Sequence, residues 1–314
     1  MNAAEPRRSG SAPIALFIDR GFEVGPFAAA LESQLRCRER VTAGEAEEVA
    51  AIVTGIVRVS DQEVAPYPNL RVVLTCSVGT DHLDLAALKG RGLVVCNTPG
   101  YCTEEVADHA LACVLGGWRR LWSLGDAVRD RRWEPGTILS RFDAQRLGVI
   151  GAGRIGSALA RKALALGVGV VSHDPWAAPP PGVSAVSLDE LLRTSDAVSL
   201  HLPGKPGAPP ALGAAELAAM KPGAVLVNTA RASLVDLDAA LVALRAGRLG
   251  AVAWDVWPHE PPEPGDTRLA TPGLLLTPHV GWSSPQADQA YLDEAVECLR
   301  SSVLHGLDPP SRVI

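Results

Sequence analysis

Residues 147–175, LGVIGAGRIGSALARKALALGVGVVSHDP, place three glycines between an apolar run and a helix-forming segment. Gly151, Gly153 and Gly156 have the spacing GxGxxG, and a second apolar run follows and ends at Asp174. In a strand–helix–strand unit the first glycine permits a tight turn, the second lets a pyrophosphate approach the backbone, and the third lets the helix pack closely on the strand. The stretch therefore predicts a dinucleotide-binding unit.

The carboxylate at the end of the second run distinguishes between dinucleotides. Asp174 can accept hydrogen bonds from both hydroxyls of a ribose and would repel a 2′-phosphate. The next residues are Pro175 and Trp176, with no arginine to bind such a phosphate. The amides of Arg154 and Ile155 would face the pyrophosphate at the start of the helix. We predict NAD(H) as the cofactor, favoured over NADP(H).

Short apolar runs alternate with helical segments along the chain. Six of these runs lie between Arg146 and His279 and predict a six-stranded doubly wound parallel sheet. Residues 1–100 show the same alternation, which is typical of a smaller parallel α/β domain. The predicted fold class is α/β with two doubly wound parallel-sheet domains, a Rossmann NAD domain and a smaller flavodoxin-like substrate domain.

Two helical segments mark the predicted domain boundaries. Residues 103–131 are predicted to form a long amphipathic helix or a helix pair, and a final amphipathic helix follows Trp282. We expect that last helix to return to the first domain. The predicted substrate domain is therefore 1–100 with 284–314, and the predicted NAD-binding domain is 101–283. The long helix also favours a homodimer.

Composition argues against several classes of protein. The 314 residues carry a net charge of −6 without a dense Lys/Arg run, which argues against nucleic acid as a primary ligand. The six cysteines form no CxxC pair and lie mostly in apolar segments, so we expect buried thiols, no metal site and no disulfides. The N-terminal segment lacks an apolar leader, and no run of eighteen apolar residues occurs. We expect a cytoplasmic protein that binds no membrane.

Chemically useful side chains follow three successive predicted strands. Arg231 follows the first, Asp255 and Glu260 the second, and His279 the third. Hydride transfer with a nicotinamide needs a proton donor or acceptor, a cation that orients the substrate, and a group that tunes the donor. Alone, each residue could be a solvated or structural group; together, at one end of a nucleotide-binding sheet, they favour catalysis. His259 is a weaker rival, because no strand fixes its proline-rich turn.

The chain resembles the D-isomer-specific 2-hydroxyacid dehydrogenases over nearly its whole length. The motifs that carry the resemblance are SVGTDHLD, NTPG, GVIGAGRIG, HDP, NTAR, DVWPHEPP and TPHVGW. The segment EEVADHALACVLGGWRR and Trp282 are closer to one branch, that of the C-terminal-binding-protein co-repressors and their bacterial dehydrogenase relatives.

The resemblance implies a role for each matching residue. Arg231 would bind the substrate carboxylate and carbonyl, and Glu260, as a buried carboxylate, would keep His279 protonated as the catalytic acid/base. The cofactor would also contact His201, Thr229, Ala230 and, through its carboxamide, Asp255. The predicted substrate-binding residues, besides Arg231, are Ser77, Val78, Gly79, Tyr101, Trp257 and Trp282.

Departures from the family pattern refine the expected substrate. Ala232 and Ser233 replace the two glycines that usually follow the arginine. The loop at Ser77 lacks the lysine of phosphite-oxidising relatives, and Glu260 argues against formate dehydrogenases. Two tryptophans near the predicted pocket, in a chain with 4% aromatic residues, favour a 2-oxoacid with an apolar or sulfur-bearing side chain.

Two functions are consistent with these features. The first is an NAD(H)-dependent oxidoreductase that interconverts a 2-oxoacid and a D-2-hydroxyacid, with hydride delivered to C2. The alternative is an NAD(H)-sensing binding protein of the co-repressor type with little catalysis. The long C-terminal tail of those co-repressors does not follow Ile314, which favours the enzyme.

Overall fold

The computed structural model describes residues 11–19, 23–133 and 135–314. The chain folds into two compact units. One unit comprises the chain up to Tyr101 together with Pro285–Ile314, and the other comprises Cys102–Ser284. Among the described residues, no helix is long and apolar enough to cross a membrane.

The first unit contains a five-stranded parallel sheet. Its strands are β1 (Ile14–Phe17), β2 (Arg36–Arg38), β3 (Val49–Thr54), β4 (Val72–Thr75) and β5 (Val94–Cys96), in the order β2-β1-β3-β4-β5. This order is that of flavodoxin-like sheets. β1, β3 and β4 are buried along their whole length, as expected for parallel strands covered on both faces. β2 was not predicted, because only the central residue of its Arg-Cys-Arg sequence is buried.

Short helices connect these strands. They are α1 (Val24–Ala30), α2 (Asp61–Val64) and α3 (Leu85–Gly90), with a 3-10 helix at Ala43–Glu48. Ser60 and Glu63 form a capping box that fixes the start of α2, and Asp84 accepts a hydrogen bond from the amide of Ala87 at the start of α3. Polar caps thus define where α2 and α3 begin.

The second unit contains a seven-stranded parallel sheet. Its strands are β6 (Arg146–Ile150), β7 (Gly169–His173), β8 (Ser184–Ala185), β9 (Ala197–Leu200), β10 (Ala224–Asn228), β11 (Leu249–Trp254) and β12 (Leu274–Leu276). The order β12-β11-β10-β9-β6-β7-β8 reverses between β6 and β9, as in the Rossmann fold. The prediction of six strands was one short, since β8 is a two-residue edge strand whose residues are both exposed.

The described part of the second unit also contains six helices. They are α4 (Thr103–Trp118), α5 (Leu121–Arg129), α6 (Arg154–Ala165), α7 (Leu188–Thr194), α8 (Ala214–Ala219) and α9 (Leu237–Arg245), with 3-10 turns at Phe142–Ala144, Ala232–Leu234 and Thr267–Ala270. Residues 103–131 therefore form the helix pair rather than one long helix. The break occurs at Arg120, whose φ of 50° is incompatible with a continuous right-handed helix.

After the second sheet the chain forms α10 (Pro285–Leu299), followed by a π-helical turn at Arg300–Leu304. α10 packs against α1 and β4 of the first unit. The six cysteines are free and buried, in agreement with their apolar sequence context. Cys37 lies in the first unit and Cys113 in the second.

Candidate active site

The loop between β6 and α6 can close only with glycines at two positions. Gly151 has a φ of 98°, and a Cβ there would lie 2.6 Å from the backbone oxygen of His201. A Cβ on Gly156 would lie 1.9 Å from the backbone oxygen of Gly151. At Gly153, the N-cap of α6, a Cβ would meet nothing within 4 Å. The loop therefore has a tightly packed inner side and an open outer side where a phosphate can approach the amides of the first helical turn.

Asp174 follows β7 and binds this same loop. Its Oδ2 accepts a hydrogen bond from the amide of Ala152 at 2.7 Å, and its Oδ1 accepts from the amides of Trp176 and Ala177 at 2.8 and 3.0 Å. Burial raises the pKa of Asp174, but these three hydrogen bonds outweigh that effect and lower it. A fixed negative charge thus lies beside the glycine loop.

Two residues at the ends of β9 and β10 present uncharged polar groups. Burial lowers the pKa of His201 to about 4, so its imidazole is neutral near pH 7, with Nε2 2.9 Å from the hydroxyl of Ser199. Thr229 is buried, and its hydroxyl has no hydrogen-bond partner among the described residues. Buried hydroxyls are normally satisfied, so this one fits contact with a bound cofactor. The glycine cradle, Asp174 and Thr229 together fit a dinucleotide.

Arg231 follows β10 in a backbone segment held by Asn228. The amide nitrogen of the Asn228 side chain donates to the Arg231 carbonyl at 2.9 Å, and the Asn228 side-chain oxygen accepts from the amide of Ala230 at 3.2 Å. Ala232 and Ser233 begin the 3-10 turn that follows, so the absence of the family's glycines is accommodated in regular backbone. Asn228, which is buried, therefore fixes the backbone position from which the Arg231 side chain extends.

The structure brings Glu260 and His279 into direct contact. Nδ1 of His279 lies 2.7 Å from Oε2 of Glu260, and the amide of Trp257 donates to Oε1 at 2.6 Å. Burial raises the pKa of Glu260, but the hydrogen bonds from His279 and Trp257 and the charge of Arg231 outweigh it, so the pKa is lowered. The carboxylate stays charged against the imidazole, and Arg231 is close enough to contribute.

The expectation that Glu260 is buried was wrong. The side chains of Glu260 and His279 are each 39% exposed. The reason is that Glu260 lies on the proline-rich loop after β11, outside the packed layers of the unit. The position of its carboxylate is therefore set by hydrogen bonds rather than by packing.

Asp255, at the end of β11, fixes the turn that carries His279. Its Oδ1 accepts hydrogen bonds from the Thr277 hydroxyl at 2.6 Å and the Val280 amide at 2.9 Å, and its Oδ2 accepts from the Gly281 amide at 2.9 Å. His279 itself has a φ of 52°, an unusual conformation for a non-glycine residue that surrounding contacts must maintain. Asp255 thus holds the strained turn through residues that precede and follow His279.

Sequence reasoning missed two residues of this network. Nε2 of His109, on α4, lies 3.1 Å from the hydroxyl of Thr277 and 3.7 Å from Oδ1 of Asp255. Because the Thr277 hydroxyl donates to Asp255, it accepts from His109. In the sequence, Thr277 is marked only by its position between a strand end and His279. No sequence pattern marks His109, because it lies on a helix far from His279 along the chain.

The two predicted pocket tryptophans have specific partners. Trp257 is only 8% exposed, donates its indole N–H to Oδ2 of Asp266 at 3.2 Å, and lies under the Arg268 guanidinium at 5.4 Å. Trp282 donates its indole N–H to the His279 carbonyl at 2.9 Å. His259, the rival histidine, is exposed, and its Nδ1 lies 3.0 Å from the Pro261 carbonyl oxygen, so it is not part of the Glu260–His279 pair.

In the first unit, the predicted substrate loop follows β4 and is internally braced. The Ser77 hydroxyl donates to the Gly79 carbonyl at 2.8 Å and lies 2.8 Å from the Thr75 hydroxyl. The Asn97 side chain donates to the Val78 carbonyl at 2.8 Å. The ring of Tyr101 packs edge-on against Tyr291, with centroids 6.1 Å apart.

A Rossmann sheet with this glycine cradle defines the second unit as the NAD-binding unit of an oxidoreductase. The chain belongs to the D-isomer specific 2-hydroxyacid dehydrogenase family. The family model of its NAD-binding domain matches residues 111–281. The prediction of the family from the sequence is thereby confirmed, as is that of two parallel-sheet α/β domains.

Characterised relatives are oxidoreductases of several substrates. The chain is 34% identical to a glycerate dehydrogenase of Methylorubrum extorquens, over 75% of this chain and 77% of that protein. It is 32% identical to a D-3-phosphoglycerate dehydrogenase of Archaeoglobus fulgidus, over 76% of this chain and 46% of that one. The structure of an Aquifex aeolicus D-lactate dehydrogenase complexed with NAD and lactic acid matches with a TM-score of 0.84 at 26% identity, covering 96% of this chain and 98% of that chain.

These relatives differ in length from this chain. This chain spans about half the length of the phosphoglycerate dehydrogenases that it matches. It spans 77% of the length of the glycerate dehydrogenase. All three named proteins are dehydrogenases, which does not favour the co-repressor alternative.

Proposed function

We propose that this protein reduces a 2-oxoacid to a D-2-hydroxyacid with NADH, and catalyses the reverse oxidation with NAD, using His279 as the acid/base. The observation that carries the proposal is the 2.7 Å contact between Nδ1 of His279 and Glu260. This contact occupies one ring nitrogen with a carboxylate and leaves Nε2 as the nitrogen for proton transfer.

A nicotinamide held at the glycine loop would supply the hydride that adds to C2 of the 2-oxoacid. As the carbonyl oxygen gains negative charge, His279 donates the proton on Nε2 to it, and the C2 hydroxyl forms. Glu260 stabilises the imidazolium before transfer and retains the hydrogen bond to Nδ1 afterwards. In the reverse direction, neutral His279 removes the hydroxyl proton.

Arg231 is proposed to bind the substrate carboxylate. A guanidinium is always charged, and its fork matches a carboxylate and an adjacent carbonyl oxygen. Asn228 fixes the backbone of this residue, and the charge of Arg231 contributes to the lowered pKa of Glu260, which supports a place for Arg231 beside the proposed Glu260–His279 pair. The roles of Ser77, Val78, Gly79 and Tyr101 in substrate binding stay predictions.

The preference for NAD(H) over NADP(H) is proposed on the charge of Asp174. Its lowered pKa keeps the carboxylate ionised, and its contact with the Ala152 amide places it against the glycine loop. Such a carboxylate accepts hydrogen bonds from ribose hydroxyls and repels a 2′-phosphate. We also propose a substrate with an apolar or sulfur-bearing side chain, on the basis of the tryptophans of the site.

A homodimer is proposed on the exposed apolar side chains around α5. Leu121, Val128, Trp133 and Ile138 are 64, 51, 78 and 95% exposed, respectively. Apolar surface of this kind, close together along the chain, marks association sites in proteins that fold in water. Light scattering after size-exclusion chromatography should give twice the mass of 32.9 kDa; a monomer at micromolar concentration would contradict the proposal.

The function is tested by NADH consumption with a panel of 2-oxoacids that differ in side chain. We expect turnover with apolar or sulfur-bearing oxoacids, and little with glyoxylate or phosphorylated oxoacids. His279→Gln should reduce kcat at least about a hundredfold, the usual contribution of a general acid, while NADH still binds. His259→Gln, in the nearby exposed turn, is the matched control and should retain activity. Normal reduction by His279→Gln would overturn the assigned acid.

A further inference from the structure

The loop that carries Glu260 is closed by a contact between its two ends. We call residues 257–266 the glutamate loop; four of these ten residues are prolines. At its ends, the indole N–H of Trp257 donates to Oδ2 of Asp266 at 3.2 Å. The Trp257 ring packs at the edge of the buried core of the second unit, and its indole N–H is bound by Asp266 from the far end of the loop.

Asp266 is itself held by Arg268. The Arg268 guanidinium donates from Nε to Oδ1 at 2.9 Å and from a terminal nitrogen to Oδ2 at 2.8 Å. The same guanidinium lies 5.4 Å from the centre of the Trp257 ring. Hydrogen bonding to Arg268 lowers the pKa of Asp266 to about 2, so this carboxylate is charged at any pH where the protein would work. The three side chains form a compact bracket, defined as Trp257, Asp266 and Arg268.

The bracket reaches the catalytic pair through one backbone amide. The amide of Trp257 donates to Oε1 of Glu260 at 2.6 Å, while Oε2 faces Nδ1 of His279. Because the Glu260 side chain is 39% exposed, little packing restrains it, and the Trp257 amide is one of the two groups that hold its carboxylate. The orientation of the amide depends in turn on where the Trp257 ring is held.

We propose that Asp266 is a positioning residue for the reaction, which acts by holding Trp257 so that the Trp257 amide orients Glu260 toward His279. The inference rests on the proposed role of Glu260 and His279. A purely structural role is the competing explanation, since Asp266 also accepts a hydrogen bond from the Arg268 amide at 3.0 Å and so caps the 3-10 turn Thr267–Ala270.

Two substitutions separate these roles. Trp257→Phe keeps an aromatic ring under Arg268 but removes the indole donor, and it leaves the cap intact. The Arg268 amide donates to Oδ1 of Asp266 and the Trp257 indole donates to Oδ2, so Asp266→Asn, which replaces one of these oxygens by an NH2 group, loses one of the two contacts. The control is Glu263→Gln in the same loop, because the Glu263 side chain is 72% exposed and forms an ion pair, within the part of the chain that the structure describes, with the equally exposed His259.

The first readout does not require turnover. The protein is labelled with ¹⁵N-histidine, and the imidazole nitrogen shifts of His279 are followed against pH, with the signal assigned by its loss in His279→Gln. Glu260→Gln gives the curve of a histidine without its carboxylate. We expect the curves of Trp257→Phe and Asp266→Asn to move toward it, and that of Glu263→Gln to coincide with the unmodified protein.

The second readout is kinetic. Trp257→Phe and Asp266→Asn should each lower kcat about threefold to tenfold, the effect of one lost hydrogen bond. In Asp266→Asn the KM for the oxoacid and the Kd for NADH should be nearly unchanged; the KM is not compared in Trp257→Phe, because Trp257 is itself a predicted substrate-binding residue. The double variant should be no slower than the slower single variant, because both remove the same contact.

The outcomes distinguish the two levels of inference. If the titration curve of His279 is unchanged in both variants and only the melting temperature falls, Asp266 is a local cap and the positioning role is overturned. If the unmodified protein reduces no 2-oxoacid, the proposed function fails, and the titration curves still decide whether Asp266 orients Glu260.

Discussion

The hydroxyl of Thr277 donates to Oδ1 of Asp255 at 2.6 Å, and this contact joins the last two strands of the Rossmann sheet directly before His279. Asp255 is 4% exposed and Thr277 also contacts His109. The pair is therefore a part-buried junction that supports the turn of His279.

Removing that hydroxyl should destabilise the protein. Thr277→Val keeps the shape of the side chain but leaves the buried Asp255 carboxylate with one donor fewer, which costs about 1 to 3 kcal/mol. Urea unfolding measures the loss. Thr194→Val is the matched control, since its hydroxyl donates to the Glu190 carbonyl at an exposed helix end and should cost less than about 0.5 kcal/mol. Equal losses in the two variants would contradict the prediction.

The glycine loop predicts different effects for two similar substitutions. Gly156→Ala places a Cβ 1.9 Å from a backbone oxygen, so the loop must open and both the melting temperature and NADH affinity should fall. Gly153→Ala meets nothing within 4 Å, so it should leave the melting temperature unchanged and weaken NADH binding by about tenfold or more, through contact with the pyrophosphate. Thermal unfolding and NADH fluorescence titration check the pair. Unchanged NADH affinity in Gly153→Ala would place the cofactor elsewhere.

Cofactor choice should respond to Asp174. Asp174→Asn removes the charge that repels a 2′-phosphate and keeps one oxygen for the Ala152 amide. We expect the ratio of NADH to NADPH affinities to fall by about tenfold, the equivalent of 1.4 kcal/mol. Asp189→Asn, on the exposed face of α7, is the control and should preserve the ratio. A ratio that is already near one in the unmodified protein would refute the assigned preference.

Stability should decrease in mild acid because of His201. Its pKa is about 4 in the folded protein against 6.5 for an ordinary histidine, so the unfolded chain binds more protons between these values. The stabilisation by neutral His201 is complete above about pH 6.5 and is lost as the pH falls toward 4. From pH 7 to 5 the loss is up to about 2 kcal/mol. In His201→Gln, the free energy of unfolding should fall less over this range; the same pH dependence in both proteins would contradict the assignment.

The sequence was sufficient for those features that depend on short-range patterns. The apolar runs predicted the strands that are buried on both faces, and the glycine spacing predicted the β6–α6 loop. β2 and β8 escaped because a strand of two or three residues with polar or exposed side chains leaves no apolar pattern.

Long-range polar contacts were beyond a reading of the sequence. The carboxylate of Asp266 lies nine positions after Trp257, in a loop without periodicity, and His109 meets Thr277 from another helix. The burial of Glu260 was inferred from its expected role alone, and its exposure follows from the placement of a proline-rich loop outside the sheet. Such contacts depend on how elements pack, and packing is not encoded in any local spacing.

The buried cysteines give the protein two internal reporters of opening. Burial raises the pKa of Cys37 to about 11 and that of Cys113 to about 12, so neither forms the reactive thiolate while its unit is closed. Because the two thiols belong to different compact units, the rate at which each is alkylated measures how often that unit opens. Mass spectrometry of the labelled peptides could therefore measure the opening rate of the NAD-binding unit separately from that of the first unit. It could also show in which of the two units NADH slows opening.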